Sequence, residues 1–183
     1  MKTKFPSLPN PPDLSDVFLK FPRGSRALLE LHDIVLRGES PLSPGEREMI
    51  AAHVSGKNAC DYCYGAHSMI ASSFGIDSTV FDDMQKDLPT ANVDEKLKPL
   101  LAYAAKLTNE PSKVTASDAK AVYDAGWSER ALYDAVTVCA LFNFMNRIVE
   151  GTGCSPEAEA AGEDEDEPLM SYLEWGEHVG FVD

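Results

Sequence analysis

Cys60 and Cys63 stand three positions apart, His67 follows four residues later, and Glu48 precedes the pair by twelve. Two thiols at this spacing can close a disulfide. If they open a helix, its dipole and exposed backbone N–H groups favour the thiolate, the form that attacks peroxides and disulfides. With Asn58 as the cap of that helix, Cys60 falls in the first turn, and Cys63 and His67 follow at i+3 and i+7 on the same face. His67 can exchange a proton with Cys63 directly or through a water. Glu48, reaching across from the preceding helix, can act as a base or hold the imidazole in place.

A structural metal site is the rival reading. His53, Cys60, Cys63 and His67 offer two nitrogen and two sulfur donors, a set that zinc accepts tetrahedrally. Three of the four share one helix face, whereas structural zinc sites usually draw ligand pairs from two separate turns. Cys139, inside the apolar run AVTVCALFNF, and Cys154, after GTG, read as small packing residues. Four cysteines in 183 residues do not make a disulfide scaffold.

The elements that must position these residues are helical. Ser43 with Glu46 forms a capping box, and Pro44 suits the first helical position, so Ser43–Val54 is expected as a helix carrying Glu48. SGKN is a turn, and Asn58 with Asp61 is expected to cap the cysteine helix, which ends near Gly75. Upstream, residues 1–12 are Pro-rich and extended, a first helix is expected at Asp13–Lys20, and Pro22 suits the first turn of a second. That second helix presents Leu28, Leu31, Ile34, Val35 and Leu36 as an apolar stripe. Downstream, a short helix is expected at Ser78–Lys86. Asn92 caps a pattern with Leu97, Leu100, Leu101, Ala104 and Leu107 at helical spacing, within which Pro99 marks either the true start or a kink. Thr115 with Asp118 caps a helix ending at Gly126. Ser128 opens a long helix, apolar on most faces, suited to a core and a subunit interface. No alternating strand pattern occurs, so the fold class is all-α. The expected organisation is an N-terminal extension over 1–27, a helical domain over 28–153 and an acidic tail over 154–183.

The charge balance excludes one broad class of partner. There are 16 Lys and Arg against 30 Asp and Glu, a formal charge of -14, with no cationic excess to neutralise a phosphate backbone, so nucleic acid is not an expected partner. Residues 155–183 hold ten of the acids and no Lys or Arg, which leaves the rest of the chain nearly balanced. Within this tail, EAEAAGEDEDEP is low-complexity and expected to be mobile. The closing LMSYLEWGEHVGFVD either docks on the body or a neighbouring subunit, or trails as a disordered end. A further reading makes the acidic tail a recruiter of a basic protein. The start has no apolar segment behind its two lysines, and no run approaches membrane-spanning length, so a cytoplasmic protein without membrane partners is expected.

Glu48, eleven intervening residues, then Cys60-x-x-Cys63-x-x-x-His67, resembles the motif of the alkylhydroperoxidase AhpD-like group within the carboxymuconolactone decarboxylase family. The segment 100–147, from LLAYAAKL to FNFMNR, looks like the second half of its peroxidase-related members, and the resemblance spans Leu28 to Gly151. It implies an AhpD-like helical fold with the CxxC at the N-terminus of a core helix, assembly into trimers or hexamers, and thiol-dependent reduction of a small hydroperoxide by a dithiol reductant. No metal or cofactor is implied beyond the redox-active cysteine pair. By motif position, Cys63 would be the peroxidatic thiol that becomes a sulfenic acid, and Cys60 the more accessible resolving thiol. His67 and Glu48 would form the proton relay. Asn143 and Asn146 match the FNxxNR stretch and are expected near the site, with His53 as a further neighbour. Tyr62 stands where the AhpD enzymes carry a relay His. A phenol, with a pKa of about 10, cannot be that base at neutral pH, although it can donate a hydrogen bond. Dithiol–disulfide exchange with another carrier is therefore a second expectation, and the alternative to both is a zinc-binding or structural oligomeric module. Lactone decarboxylation is not expected, because those relatives generally lack the CxxC pair.

Overall fold

The computed structural model describes residues 4–156 and 170–182, and among these it is helical with no strand. The helices are α1 (Leu14–Lys20), α2 (Ser25–Arg37), α3 (Pro44–Lys57), α4 (Asp61–Ser73), α5 (Val80–Asp87), α6 (Lys98–Asn109), α7 (Ala116–Asp124), α8 (Glu129–Thr152) and α9 (Tyr172–Val179). They fall into two compact units. One comprises residues 39–146. The other comprises the described residues up to 38 and from 147 onward.

In the 39–146 unit, the two sequence-legible capping boxes form. Ser43 Oγ accepts from the Glu46 N–H while the Glu46 carboxylate accepts from the Ser43 N–H, and Thr115 and Asp118 do the same for α7. Each reciprocal pair satisfies two backbone donors that a helix start otherwise leaves orphaned. Pro99 marks a start and not a kink: α6 begins at Lys98, six residues beyond Asn92. Ile50, Val54, Met84, Leu100, Leu101, Val122, Val138 and Phe142 form the core of this unit, each essentially inaccessible. Burying side chains of this size stabilises by about 1.5–3 kcal/mol each. α3 is buried over ten of its fourteen residues, from Gly45 through Ser55, and packs against α4, α5 and α6. The start of α8 is pinned to the segment before α3, where Ser40 Oγ donates to the buried Asp134 carboxylate at 2.6 Å and Arg130 Nε donates to the same group at 2.8 Å.

In the other unit, α1 forms where a first helix was expected, with Asp13 as its N-cap, but α2 starts later than its proline suggested. Pro22 lies in a turn, Gly24 takes the N-cap with φ 87, and the helix begins at Ser25. The buried face of α2 is Ser25, Leu29, His32 and Leu36, at i, i+4, i+7 and i+11, while Leu31 and Ile34 of the expected stripe are exposed. That face receives α9. Asp33 of α2 accepts from the Tyr172 N–H at 2.8 Å and the Leu173 N–H at 3.0 Å, so a carboxylate from another helix satisfies orphan donors at the α9 N-terminus. Trp175 and Phe181 stack edge-on, and Phe181 also meets Phe18. The closing aromatic residues therefore dock within the chain. The low-complexity acidic segment expected to be mobile lies outside the described residues.

Candidate functional site

α3 and α4 form a helical hairpin with a connection of only Asn58, Ala59 and Cys60. An antiparallel pair brings together residues at similar distances from the turn. Glu48 lies nine residues before the end of α3 and His67 six after the start of α4, and the two meet: His67 Nδ1 is 2.5 Å from Glu48 Oε2. Glu48 is fully buried and His67 is 8% exposed. The Phe142 ring of α8 stands edge-on to the imidazole at 4.3 Å. With Nδ1 held by a carboxylate and one flank covered by an aromatic ring, the imidazole is fixed in orientation and its Nε2 is left for proton exchange.

The turn itself closes α3 by a Schellman motif. Cys60 N–H donates to Ser55 O at 3.0 Å and Ala59 N–H to Gly56 O at 3.1 Å, with Ala59 at φ 53 in the left-handed region where Gly is usual. This corrects the expected cap. Asn58 is the C-cap of α3, and Cys60 itself is the N-cap of α4. Cys60 at N-cap and Cys63 at N3 both fall within the first turn, where the helix dipole favours a thiolate. Cys63 and His67, four apart on α4, are neighbours on one helix face. Both thiols are buried, Cys60 at 0% and Cys63 at 4% exposure, so Cys60 is not the more accessible one in this conformation. Tyr62, at the second position of α4, is buried with them.

Asn143 and Asn146 of α8 reach the turn through a residue whose expected role was different. Asn58 Nδ2 donates to Asn146 Oδ1 at 2.9 Å and to Asn143 Oδ1 at 3.2 Å, and Asn146 Nδ2 donates to Ser55 Oγ at 3.0 Å. Ser55 was not singled out in the sequence. Its position two residues before the end of a helix carries no chemical signal.

His53 is separate from this arrangement. Five residues after Glu48, it lies about 140° around α3. It is fully buried, neither ring nitrogen has a hydrogen-bond partner, and desolvation, helped by the nearby Lys57 charge, lowers its pKa to about 3. Its backbone carbonyl accepts from Gln85 of α5 at 3.3 Å. Among the described residues, no three His, Cys, Asp or Glu side chains converge as a metal set, so the four-ligand zinc arrangement is not assembled. Cys139 packs under Thr108 and Asn143, and burial pushes its thiol up despite the hydrogen bonds they supply.

An open groove of about 550 Å³ runs beside the α4 N-terminus, lined by Lys57, Asp61, Tyr64, Asp82, Gln85 and Lys86. Burial, ahead of the Asp82 carboxylate, raises the Tyr64 phenol.

Residues 22–84, which hold the Glu–CxxC–His constellation, match the carboxymuconolactone decarboxylase family, and the resemblance read from those residues is borne out. The chain folds like the AhpD group within it. An uncharacterized peroxidase-related protein from Silicibacter sp. TM1040 is 28% identical over 82% of this chain and 78% of its own, with a TM-score of 0.74. A second, an uncharacterized peroxidase-related protein with an alkylhydroperoxidase AhpD core from Ralstonia eutropha JMP134, is 26% identical over 78% of this chain and 75% of its own, with a TM-score of 0.73. A protein of unknown function from Agrobacterium tumefaciens shares the fold at 14% identity, covering 92% of this chain and all of its own, with a TM-score of 0.66. No curated protein matches the sequence. No helix among the described residues is long and apolar enough to cross a membrane.

Proposed function

We propose that the chain is a thiol-dependent oxidoreductase that reduces hydroperoxides through Cys60 and Cys63. The observation that carries this reading is the buried Glu48–His67 pair, held at 2.5 Å one helical turn beyond a CxxC at a helix N-terminus. The Cys63 thiolate attacks the distal peroxide oxygen. The O–O bond breaks, the sulfur becomes a sulfenic acid, and the leaving alkoxide takes a proton and departs as the alcohol. His67, with Nδ1 on Glu48, supplies that proton and recovers one from the next thiol. Cys60 then attacks the sulfenic sulfur, forming the Cys60–Cys63 disulfide and releasing water. A dithiol reductant restores both thiols and leaves as its own disulfide. The helix dipole supports the thiolate in the first step, and the groove beside α4 offers an approach for reductant or substrate.

Tyr62 favours one second reading within the same chemistry. With a phenol at the position of the AhpD relay His, the pair is also suited to exchange with a disulfide carrier. The proposal extends to a homo-oligomer, in which subunits would cover exposed apolar side chains such as Met69, Tyr133 and Phe144. Peroxide consumption by wild type, Cys60→Ser and Cys63→Ser, each with several dithiol donors, tests the reading and the roles. Loss of consumption is expected in both variants, with sulfenic acid trappable only where Cys63 remains. Turnover that survives Cys63→Ser would overturn it.

A further inference from the structure

The polar chain linking α8 to the α3–α4 turn has a fixed direction. It starts at the Cys139 carbonyl, which can only accept, and that carbonyl receives Asn143 Nδ2 at 3.0 Å. Asn143 must therefore turn its Oδ1 outward, where it accepts from Asn58 Nδ2. The same Asn58 amide nitrogen, with its second hydrogen, serves Asn146 Oδ1, and Asn146 passes its own Nδ2 to Ser55 Oγ. Ser55 Oγ ends the chain on Ala51 O at 2.8 Å, and the Ser55 carbonyl receives the Cys60 N–H. Asn58 thus spends both amide hydrogens on two residues 85 and 88 positions away, one residue before a non-glycine left-handed turn and two before a fully buried thiol.

We propose that Asn58 is a positioning residue for the thiol pair: its double donation to Asn143 and Asn146 clamps the turn that keeps Cys60 buried, and release of this clamp admits a reductant to Cys60. The inference rests on the thiol chemistry proposed above, in which a dithiol must reach a disulfide between two buried sulfurs. Ala59 is exposed while Cys60 is not, so a small movement of the turn about residues 58–60 suffices to bring the sulfur toward solvent. The clamp lies on the α8 side of that turn. Opening it leaves the Glu48–His67 pair, further along the hairpin, in place.

The test is Asn58→Ala in the full-length, fully reduced protein. Asn58 is half-buried, so the truncation leaves no sealed cavity. Iodoacetamide labelling of Cys60 and of Cys139 is followed in the same digest by mass spectrometry, together with hydrogen exchange of the Cys60 amide. Removal of two hydrogen bonds is expected to raise both Cys60 rates by about five- to thirtyfold. Cys139 labelling is expected to stay at the wild-type rate, because Asn143, which covers it, keeps its donations to the Cys139 carbonyl and to Thr108 Oγ1 when Asn58 is removed. Cys60 rates equal to wild type would overturn the proposal. So would parallel acceleration of Cys60 and Cys139, the signature of general loosening. Neither readout needs turnover, so an inactive wild-type protein that showed the expected split would remove the peroxide reading and leave the clamp.

Discussion

His53→Leu isolates the effect of a buried imidazole on stability. In the native chain this ring is desolvated, has no partner for either nitrogen, and stays neutral down to about pH 3, whereas in the unfolded chain it titrates at about 6.5. Between those values the unfolded state binds a proton that the native state refuses, so stability from this group is complete above the unfolded pKa and is lost as pH falls. Integrating that difference from pH 7.5 to pH 5 gives a loss of about 2 kcal/mol from His53 alone. Leucine cannot take up the proton. The measurement is urea unfolding of wild type and His53→Leu at both pH values and equal protein concentration. The offset between the two proteins at one pH mixes relief of the orphaned nitrogens with repacking, but the change in that offset does not. Wild type is expected to lose about 2 kcal/mol more than the variant on acidification, while His32, His67 and His178 contribute equally to both. Parallel behaviour of the two proteins would refute the reasoning, and would mean that the ring is hydrated or bonded in solution.

Two other substitutions probe the hairpin and the C-terminal dock. Glu48→Gln keeps an acceptor for His67 Nδ1 but removes the buried charge, and is expected to slow peroxide consumption roughly a hundredfold, at the lower end of what general acid–base groups contribute, with little change in Tm; an unchanged rate would remove Glu48 from the relay. Gly176→Ala places a Cβ 2.4 Å from Leu29 Cδ1 and 2.9 Å from Val182 Cγ2. Overpacking of this kind destabilises by about 1–3 kcal/mol, so limited proteolysis is expected to cut near α9 sooner than in wild type, and equal cutting rates would show that the α2–α9 contact yields without strain.

What the sequence made legible is what short-range physics decides. The Ser43/Glu46 and Thr115/Asp118 boxes need only residues three apart, and both formed. The meeting of Glu48 and His67 was also legible, because a hairpin with a short connection pairs residues by their distance from the turn. Asn58 was misread for a related reason: the same side chain suits a helix cap, a helix end and a turn, and only partners 85 and 88 residues away decide among them. Burial of Cys60 was illegible on the same ground, since solvent access to a thiol depends on long-range packing that local spacing does not encode. The apolar stripe of α2 was misplaced because Leu29 and His32, which meet α9, lie outside the helical pattern that Leu31 and Ile34 continue.

Ala59 has a consequence beyond closing a helix. A left-handed alanine costs roughly 1–2 kcal/mol that a glycine would not, and the Asn58 amide donations on the preceding residue offset a penalty of the same size. The bend before Cys60 therefore sets this strain against the Asn58 donations and the two Schellman bonds together. On the thiol chemistry proposed above, a docking reductant or a change in the sulfur's oxidation state would act on a turn that already carries this strain, and the strain would lower the free energy needed to open it.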